Sequence, residues 1–258
     1  VLLARRLERS TAWLLAHDDE SLDARIETLF DDGIAALERG VPLAYVLGEA
    51  WFYRRRFFVT SDVLVPRPET EELAERAIAC VAAQGATRAL DVGTGSGVLA
   101  LTLAAECPQL VVDAIDVSRA ALAVATRNAH ALGLESRVRF ALDASFGADL
   151  VAASHERYPL IVANLPYVRR GDLPLAPDPV SYEPRLALDG GIDGLDAYRG
   201  LLAAAPHVLA ARGTLLLEAG LGTVDALADL ARATFDGATV ATMLDTAGLP
   251  RFVRIDVE

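Results

Sequence analysis

The sequence contains no lysine: all 24 basic residues are arginine, set against 36 acidic ones for a net charge of −12. That balance argues against a broad nucleic-acid surface, which needs many cations to displace counterions, and leaves room only for a local basic patch. Arg54-Arg55-Arg56 is the one dense cationic run, and such a run reads first as solvated loop. Cysteine is scarce. Cys80 and Cys107 show neither metal-ligand spacing nor a disulfide framework, so no metal is expected, and they read as two buried thiols of a cytosolic protein. No apolar run reaches the roughly 18 residues that span a bilayer, because Arg, Asp or Glu interrupts the longest ones. No signal peptide is read, and Val at position 1 leaves the native start open. There is no internal repeat and no low-complexity tract. These absences predict a cytoplasmic protein without membrane association. The 258 residues, with a hydrophobic fraction of 53%, are enough for a substantial core in one large domain or two smaller ones.

Three regions differ in pattern. Up to about residue 40, apolar positions recur at helical spacing, and Leu3, Leu7, Leu14, Leu15, Leu22, Ile26, Leu29, Phe30, Ile34 and Leu37 are predicted to face inward on two or three helices. Asp18, Asp19 and Ser21 fall between helices, and Gly40 and Pro42 end the segment. The aromatic stretch Trp51 to Val59 predicts a β-hairpin, followed by extended backbone at Pro66-Arg67-Pro68 and a helix to about residue 83. From residue 87 strands alternate with helices. Strands are predicted at 87–92, 111–116, 137–141, 158–163, 213–218, 238–244 and 251–257, and helices at 97–106, 118–132, 194–211 and 223–234. This implies an α/β fold with a parallel sheet covered on both faces. The five residues 246–250 between the last two strands predict one antiparallel strand at the far side of the sheet. The Pro-, Gly- and Asp-rich segment 168–192 is long for a loop and reads as functional. The division is a helical domain at 1–42, a hairpin linker at 43–70 and an α/β domain at 71–258.

The chemistry-bearing residues fall at predicted strand ends. Asp91-Val92 runs into Gly93-Thr94-Gly95-Ser96-Gly97 and then an apolar helix start. Glycines permit a tight turn and close backbone approach, and the helix N-terminus adds donors. A pyrophosphate-binding loop places its third glycine one residue later. Asp91 before the loop suits a ligand with an ammonium group, as S-adenosylmethionine has. Asp116 ends the next strand, where an acid can accept from both ribose hydroxyls, and Asp143 ends the third, near where an adenine amino group would lie. Asn164-Leu165-Pro166-Tyr167 follows the fourth. Such a tetrapeptide can hold a planar amide or amine: the Asn carbonyl and a backbone carbonyl accept two N–H bonds while the Tyr ring covers a face. That suits methyl transfer to a nitrogen of the kind found in Gln, adenine or cytosine.

These residues carry a resemblance over nearly the whole chain to the peptide-chain release-factor glutamine methyltransferases, the PrmC/HemK family. Pro42, Tyr45, Gly48 and Phe52 match its inter-domain segment, and Pro66 to Glu71 its Pro-Arg-Pro-Glu-Thr-Glu stretch. Asp91 to Gly97 match its donor loop, and Glu183-Pro184, Leu188, Gly191, Asp193-Gly194-Leu195, Glu218-Ala219-Gly220 and Asp245 to Gly248 its later landmarks. The chain departs at Leu165, where the family usually has Pro, and at Thr223, where it often has Gln.

The resemblance implies a seven-stranded Rossmann-like class I methyltransferase sheet with a small N-terminal helical domain joined by a β-hairpin. It implies S-adenosylmethionine as donor and S-adenosylhomocysteine as product. Gly93, Thr94, Gly95, Ser96 and Gly97 would wrap the methionine part, with Asp116 on the ribose and Asp143 and Ala144 at the adenine. Asn164 and Pro166 would orient the substrate amide, Tyr167 would pack on it, and Leu165 would complete the substrate site. The implied partner is a peptide chain release factor, methylated at the Gln of its Gly-Gly-Gln motif and gripped partly by the N-terminal helices. The implied protein is a monomer with no stable nucleic-acid binding. A ribosomal-protein glutamine and a nucleic-acid adenine are the competing substrates, and a scaffold that lost activity through Leu165 is the non-catalytic alternative. No strong base is visible near the motif. His17, His130, His155 and His207 lie away from it, so neutral acceptors would serve and the proton would pass to water.

Overall fold

A computed structural model describes residues 1–257. Helices α1 (Leu2–Arg6), α2 (Thr11–Ala16) and α3 (Ala24–Glu38) open the chain. Ser10 Oγ accepts the Trp13 N–H and Asp23 Oδ1 the Arg25 N–H, so α2 and α3 begin where a side chain satisfies a free donor. The segment does not stop at Pro42: a further helix, α4 (Leu43–Leu47), follows it, because proline's fixed φ and missing N–H suit a helix start as well as a helix end. The predicted inward face is only partly covered. Leu2 and Ala4 are buried, but Leu15 is 78% and Leu29 36% exposed. Helices of five and six residues are too short to enclose a core by themselves.

Strands β1 (Glu49–Phe52) and β2 (Arg55–Phe58) form the hairpin predicted from the aromatic run. Its turn residues Tyr53 and Arg54 have φ of +46° and +62°, the twist that matches flanking strands. Phe52 and Phe57 meet edge to face with centroids 6.1 Å apart and are buried. Arg55 and Arg56 pair with Glu106 and Glu49, so the arginine run belongs to the hairpin rather than to a solvated loop.

Seven strands form the main sheet: β3 (Arg88–Val92), β4 (Val111–Asp116), β5 (Val138–Leu142), β6 (Tyr158–Asn164), β7 (Leu209–Glu218), β8 (Thr239–Leu244) and β9 (Pro250–Asp256). Their order is β5-β4-β3-β6-β7-β9-β8, with β9 antiparallel to both neighbours, as the short final connection predicted. Helices α5 (Pro68–Gln84), α6 (Val98–Glu106) and α7 (Arg119–Leu132) cover one face, and α8 (Ala148–Ser154), α9 (Asp196–Val208) and α10 (Val224–Thr234) the other. Helix α8 went unread in the sequence. Residues 209–211, predicted as the end of a helix, instead begin β7, where Leu209 pairs with Tyr158 across a bulge. Leu-Ala-Ala fits either periodicity, and pairing with β6 decides.

Alternation along the central strands is strict. Leu160, Val162 and Leu216 enter the core under α5 and α6, while Ile161, Ala163 and Leu217 enter the core under α9 and α10. After β3 the chain builds outward through β4 and β5, then returns to lay β6 against the other side of β3. The resulting switch point is where open α/β sheets bind ligands.

Two ties hold the outer parts to this frame. Segment 168–192 folds into three short 3-10 turns and is anchored by Glu183, whose two oxygens take the Arg67 guanidinium at 2.8 and 2.7 Å. It also meets the N-terminal helices: the Tyr182 hydroxyl donates to the Arg39 carbonyl, and a Cβ at Gly40 would run into the Pro177 carbonyl oxygen. The hairpin is held by Asn128 on α7, which is buried. Its Oδ1 accepts the Phe58 N–H at 2.7 Å, and its Nδ2 donates to the carbonyls of Phe58 at 3.0 Å and Ser96 at 2.8 Å. Among the described residues no helix is long and apolar enough to cross a membrane.

Replacing Asn128 by Ala leaves three backbone groups without their partner: the half-buried N–H and carbonyl of Phe58 and the buried Ser96 carbonyl. Urea unfolding of the Asn128→Ala variant is expected to show a loss of about 2–4 kcal/mol, with faster amide exchange at Phe58. A loss below about 1 kcal/mol would mean that the hairpin does not depend on this side chain.

Candidate active site

The carboxyl ends of β3, β4 and β6 open on a cavity of about 410 Å³, within the range of small-molecule sites. The turn after β3 takes its shape from glycines: Gly93, Gly95 and Gly97 have φ of +73°, +55° and +83°. Each is needed for a different reason. A Cβ at Gly93 would lie 2.8 Å from Leu165 Cδ2 and one at Gly97 3.2 Å from Ala125 Cβ, whereas one at Gly95 would meet nothing within 4 Å. Gly95 therefore leaves bare backbone facing open space.

Asp116 shapes the same turn from the end of β4. Its Oδ2 accepts the Gly95 N–H at 2.9 Å and its Oδ1 the Ser118 N–H at 2.8 Å. Burial raises its pKa against these backbone bonds. The Asp143 N–H donates to the Asp116 carbonyl at 3.1 Å. Asp143 Oδ1 accepts the Ser145 N–H at 2.6 Å and the Ser145 hydroxyl at 2.8 Å. Asp143 and Ala144 both line the cavity.

Asp91 lies behind the loop, fully buried. Its Oδ2 takes the Thr94 hydroxyl at 2.7 Å and the Ala100 N–H at 3.2 Å, while Oδ1 has no partner among the described residues. Burial pushes this carboxyl up to about 7, opposed by the Thr94 and Ala100 bonds and assisted by the Asp116 charge. A buried carboxylate oxygen without a partner costs free energy that a bound cation can return. With the open backbone at Gly95 and the acid at Asp116, the donor set fits S-adenosylmethionine, which carries an ammonium and ribose hydroxyls.

The motif after β6 forms the opposite wall, where Asn164, Leu165 and Pro166 line the cavity. Asn164 Nδ2 donates to Thr70 Oγ1 at 3.0 Å. Leu165 is 5% exposed. Its N–H donates to the Tyr198 hydroxyl at 3.3 Å, and its carbonyl lies 3.1 Å from the same hydroxyl. Proline could not make the first bond, so the departure at 165 replaces a φ constraint with a tie to α9. The Tyr167 ring does not line the cavity; it lies on Gly220, where a Cβ would come within 2.7 Å of the ring. Burial pushes the Tyr167 hydroxyl up to about 12. The 188–194 segment braces this loop: Val168 N–H donates to the Leu188 carbonyl at 3.0 Å, Gly190 N–H to the Val168 carbonyl at 2.8 Å, and a Cβ at Gly194 would sit 2.5 Å from the Tyr167 carbonyl oxygen.

Of the residues singled out in the sequence, Gly93, Gly95, Ser96, Asp116, Asp143, Ala144, Asn164, Leu165 and Pro166 share one cavity, while Thr94, Gly97 and Tyr167 sit behind its walls. Thr70 and Glu218 stood out in the sequence only as landmarks, and Tyr198 and Asn128 not at all. Their positions follow from strand register and helix docking, which no local pattern encodes. Asp245 is a structural landmark: it accepts the Ala247 and Leu249 N–H groups at 3.0 and 2.9 Å and shapes the turn before β9.

Comparison with known proteins decides the family. A family model for the PrmC N-terminal domain matches residues 1–48, and one for the methyltransferase small domain matches 74–175. The release factor glutamine methyltransferase of Cereibacter sphaeroides is 42% identical over 253 residues, covering 98% of this chain and 87% of that protein. The chain belongs to the release factor glutamine methyltransferases. The member from Bacillus anthracis is 34% identical over 265 residues, covering 100% of this chain and 91% of its own. Among solved structures, a SAM-dependent methyltransferase from Agrobacterium tumefaciens superposes with TM-score 0.55 at 19% identity, covering 81% of this chain and 70% of that one. An O-methyltransferase from Bacillus cereus, solved with SAH, superposes with TM-score 0.54 at 15% identity, covering 92% of each chain. At such identity these two show the fold alone: the class I methyltransferase sheet, carried in this release factor glutamine methyltransferase behind an N-terminal helical segment and a hairpin.

The buried Asp91 yields a pH-dependent expectation. Its folded pKa of about 7 lies above the ordinary 3.8, so its charged form opposes folding. The penalty grows as pH rises between those two values and is full above the folded one. At pH 8 the ligand-free Asp91→Asn variant is expected to melt several degrees above wild type while binding S-adenosylmethionine more weakly. An equal or lower melting temperature at that pH, or unchanged donor affinity, would refute this account of Asp91.

Proposed function

We propose that the protein transfers a methyl group from S-adenosylmethionine to the side-chain amide nitrogen of the Gln in the Gly-Gly-Gln motif of peptide chain release factors. The observation that carries the reading is Asn164, set at the end of β6 on the wall of the cavity that the glycine turn and Asp116 also line. Family membership supports the donor and the acceptor class.

When bound, S-adenosylmethionine supplies an electrophilic methyl group on a sulfonium sulfur. The roles of the chain's own residues follow. Gly93, Gly95 and Ser96 offer backbone to the methionine portion, with Thr94 and Gly97 holding the turn through Asp91 and α7. Asp116 would take the ribose hydroxyls, and Asp143 and Ala144 would border the adenine. Asn164 Oδ1 and the Pro166 carbonyl accept the two N–H groups of the substrate amide, fixing its nitrogen for in-line attack. Leu165 keeps this loop in the core, and Tyr167 supports it from behind.

An amide nitrogen is a poor nucleophile because its lone pair is delocalised into the carbonyl. Acceptors aimed at its N–H groups gain strength as positive charge develops there. With the donor bound, the Gln nitrogen would form its bond to the methyl carbon as the carbon–sulfur bond broke. The electron pair of that bond would leave with sulfur, giving S-adenosylhomocysteine, and one amide proton would depart to water. Residues 71–258 form the methyltransferase domain, 43–70 link it to the helices, and 1–42 help grip the protein substrate. The enzyme works as a cytoplasmic monomer, and the net charge of −12 disfavours nucleic acid as substrate.

Labelled methyl transfer to purified release factors tests the reading, with a ribosomal protein and tRNA as competing acceptors. The Asn164→Ala variant is expected to bind S-adenosylmethionine within about twofold of wild type and to lose at least ~10²-fold in methyl transfer. Near-normal turnover by that variant, or preferential labelling of another acceptor, would overturn the assignment.

A further inference from the structure

The buried carboxylate that this scheme leaves unused is Glu218. It ends β7 directly opposite Asn164, its register partner at the end of β6. Val162 and Leu216, two residues back on each strand, both enter the core under α5, so alternation turns Asn164 and Glu218 to that same face. The first turn of α5 meets them there with Thr70, which is 3% exposed. Thr70 accepts from Asn164 Nδ2 at 3.0 Å, and both side chains hold the Glu218 carboxyl's pKa down against burial. Glu218 is 1% exposed, and its Oε2 has no partner among the described residues. From the other side the Tyr198 hydroxyl contacts the Glu218 carbonyl and both backbone groups of Leu165. One buried cluster thus holds the side chain of Asn164 and the backbone beside it.

An ionised carboxylate only accepts hydrogen bonds. Facing Glu218, Asn164 must therefore present its NH2 to the cluster, which leaves Oδ1 as the atom available to a substrate. A fixed negative charge behind that NH2 also polarises the amide and strengthens Oδ1 as an acceptor. We infer that Glu218, acting through Thr70 and Asn164, is a positioning residue for methyl transfer: it fixes which atom of Asn164 meets the substrate and, as a carboxylate, favours the positive charge that develops on the substrate nitrogen. The inference rests on the reading of Asn164 as the acceptor of the substrate amide.

The groups around Glu218 set its charge. Arg251 faces it from β9, Glu69 and Thr70 from α5, Tyr167 from the loop after β6 and Tyr198 from α9. Burial pushes the carboxyl up to about 7; Thr70, Arg251 and Asn164 pull it down, and Glu69 pushes it up. The active, ionised form is therefore lost as pH falls through that region.

The test is kcat against pH for methylation of a purified release factor, with S-adenosylmethionine affinity measured in parallel. Wild type, Glu218→Gln, Thr70→Val and Thr70→Ser are compared, with melting temperatures as a check on folding. Wild-type kcat should fall about tenfold per pH unit on the acid side. Glu218→Gln should lower the plateau roughly tenfold or more and flatten that limb, with the donor Kd within about twofold. Thr70→Val should lower kcat in the same way and Thr70→Ser restore it, which keeps the inference exposed even if Glu218→Gln fails to fold. An active wild type whose Glu218→Gln variant keeps its plateau and its acid limb, or a Thr70→Val variant with unchanged kcat, overturns the inference alone. A wild-type protein that methylates no release factor overturns the reading beneath it as well.

Discussion

Where β6 pairs with β3, the chain has just crossed the sheet, and the helices that follow these two strands leave on opposite faces. That single parallel pairing creates the gap in which everything functional sits. It sets the glycine turn after Asp91 opposite the motif that begins at Asn164. It also brings β7 in beside β6, so that Glu218 stands next to Asn164. The apolar pairs along these strands, such as Leu90 with Ile161 and Val162 with Leu216, are fully buried and hold the register. A one-residue slip between these strands would turn Asn164 and Glu218 to opposite faces and leave Thr70 facing only one of them.

Around this gap the protein keeps carboxylates where water cannot reach them. Among the described residues Asp91 and Glu218 each have one oxygen without a partner, and each is pushed up to about 7 by burial. Such groups weaken the ligand-free fold, because desolvated charge is expensive. Their placement at the ends of β3 and β7 gives the expense a use. One lies behind the wall that would meet a cationic donor, the other behind the residue that would meet the acceptor nitrogen. Local instability and site chemistry here have the same origin in burial.

The Gly-rich turn and the Asn-x-Pro-Tyr tetrapeptide were legible because both are local. Positive φ at Gly93, Gly95 and Gly97 is a property of three neighbouring residues, and the apolar run before Asn164 marks a buried strand without further context. The residues that hold those motifs in place were not legible. Thr70 lies 94 positions from Asn164, and Asn128 lies 70 from the hairpin it clamps. Their partners are selected by docking of α5 and α7, which depends on the summed packing of whole faces. The misread end of α9 has the same cause: Leu209 joins a strand because Tyr158 is there to pair with it.

By itself, then, the sequence determined the alternation of strands and helices, the order of acids at successive strand ends, the motif that names the acceptor chemistry and the family. Each is written in short-range periodicity or in residues adjacent along the chain. Only the tertiary structure decided that Tyr167 packs on Gly220 behind the loop rather than lining the cavity, that Leu165 is tied to Tyr198, and that Thr70 bonds Asn164 beside Glu218. Those contacts arise where strand register and helix docking bring distant residues within hydrogen-bond reach, and that distance is set by the packed sheet.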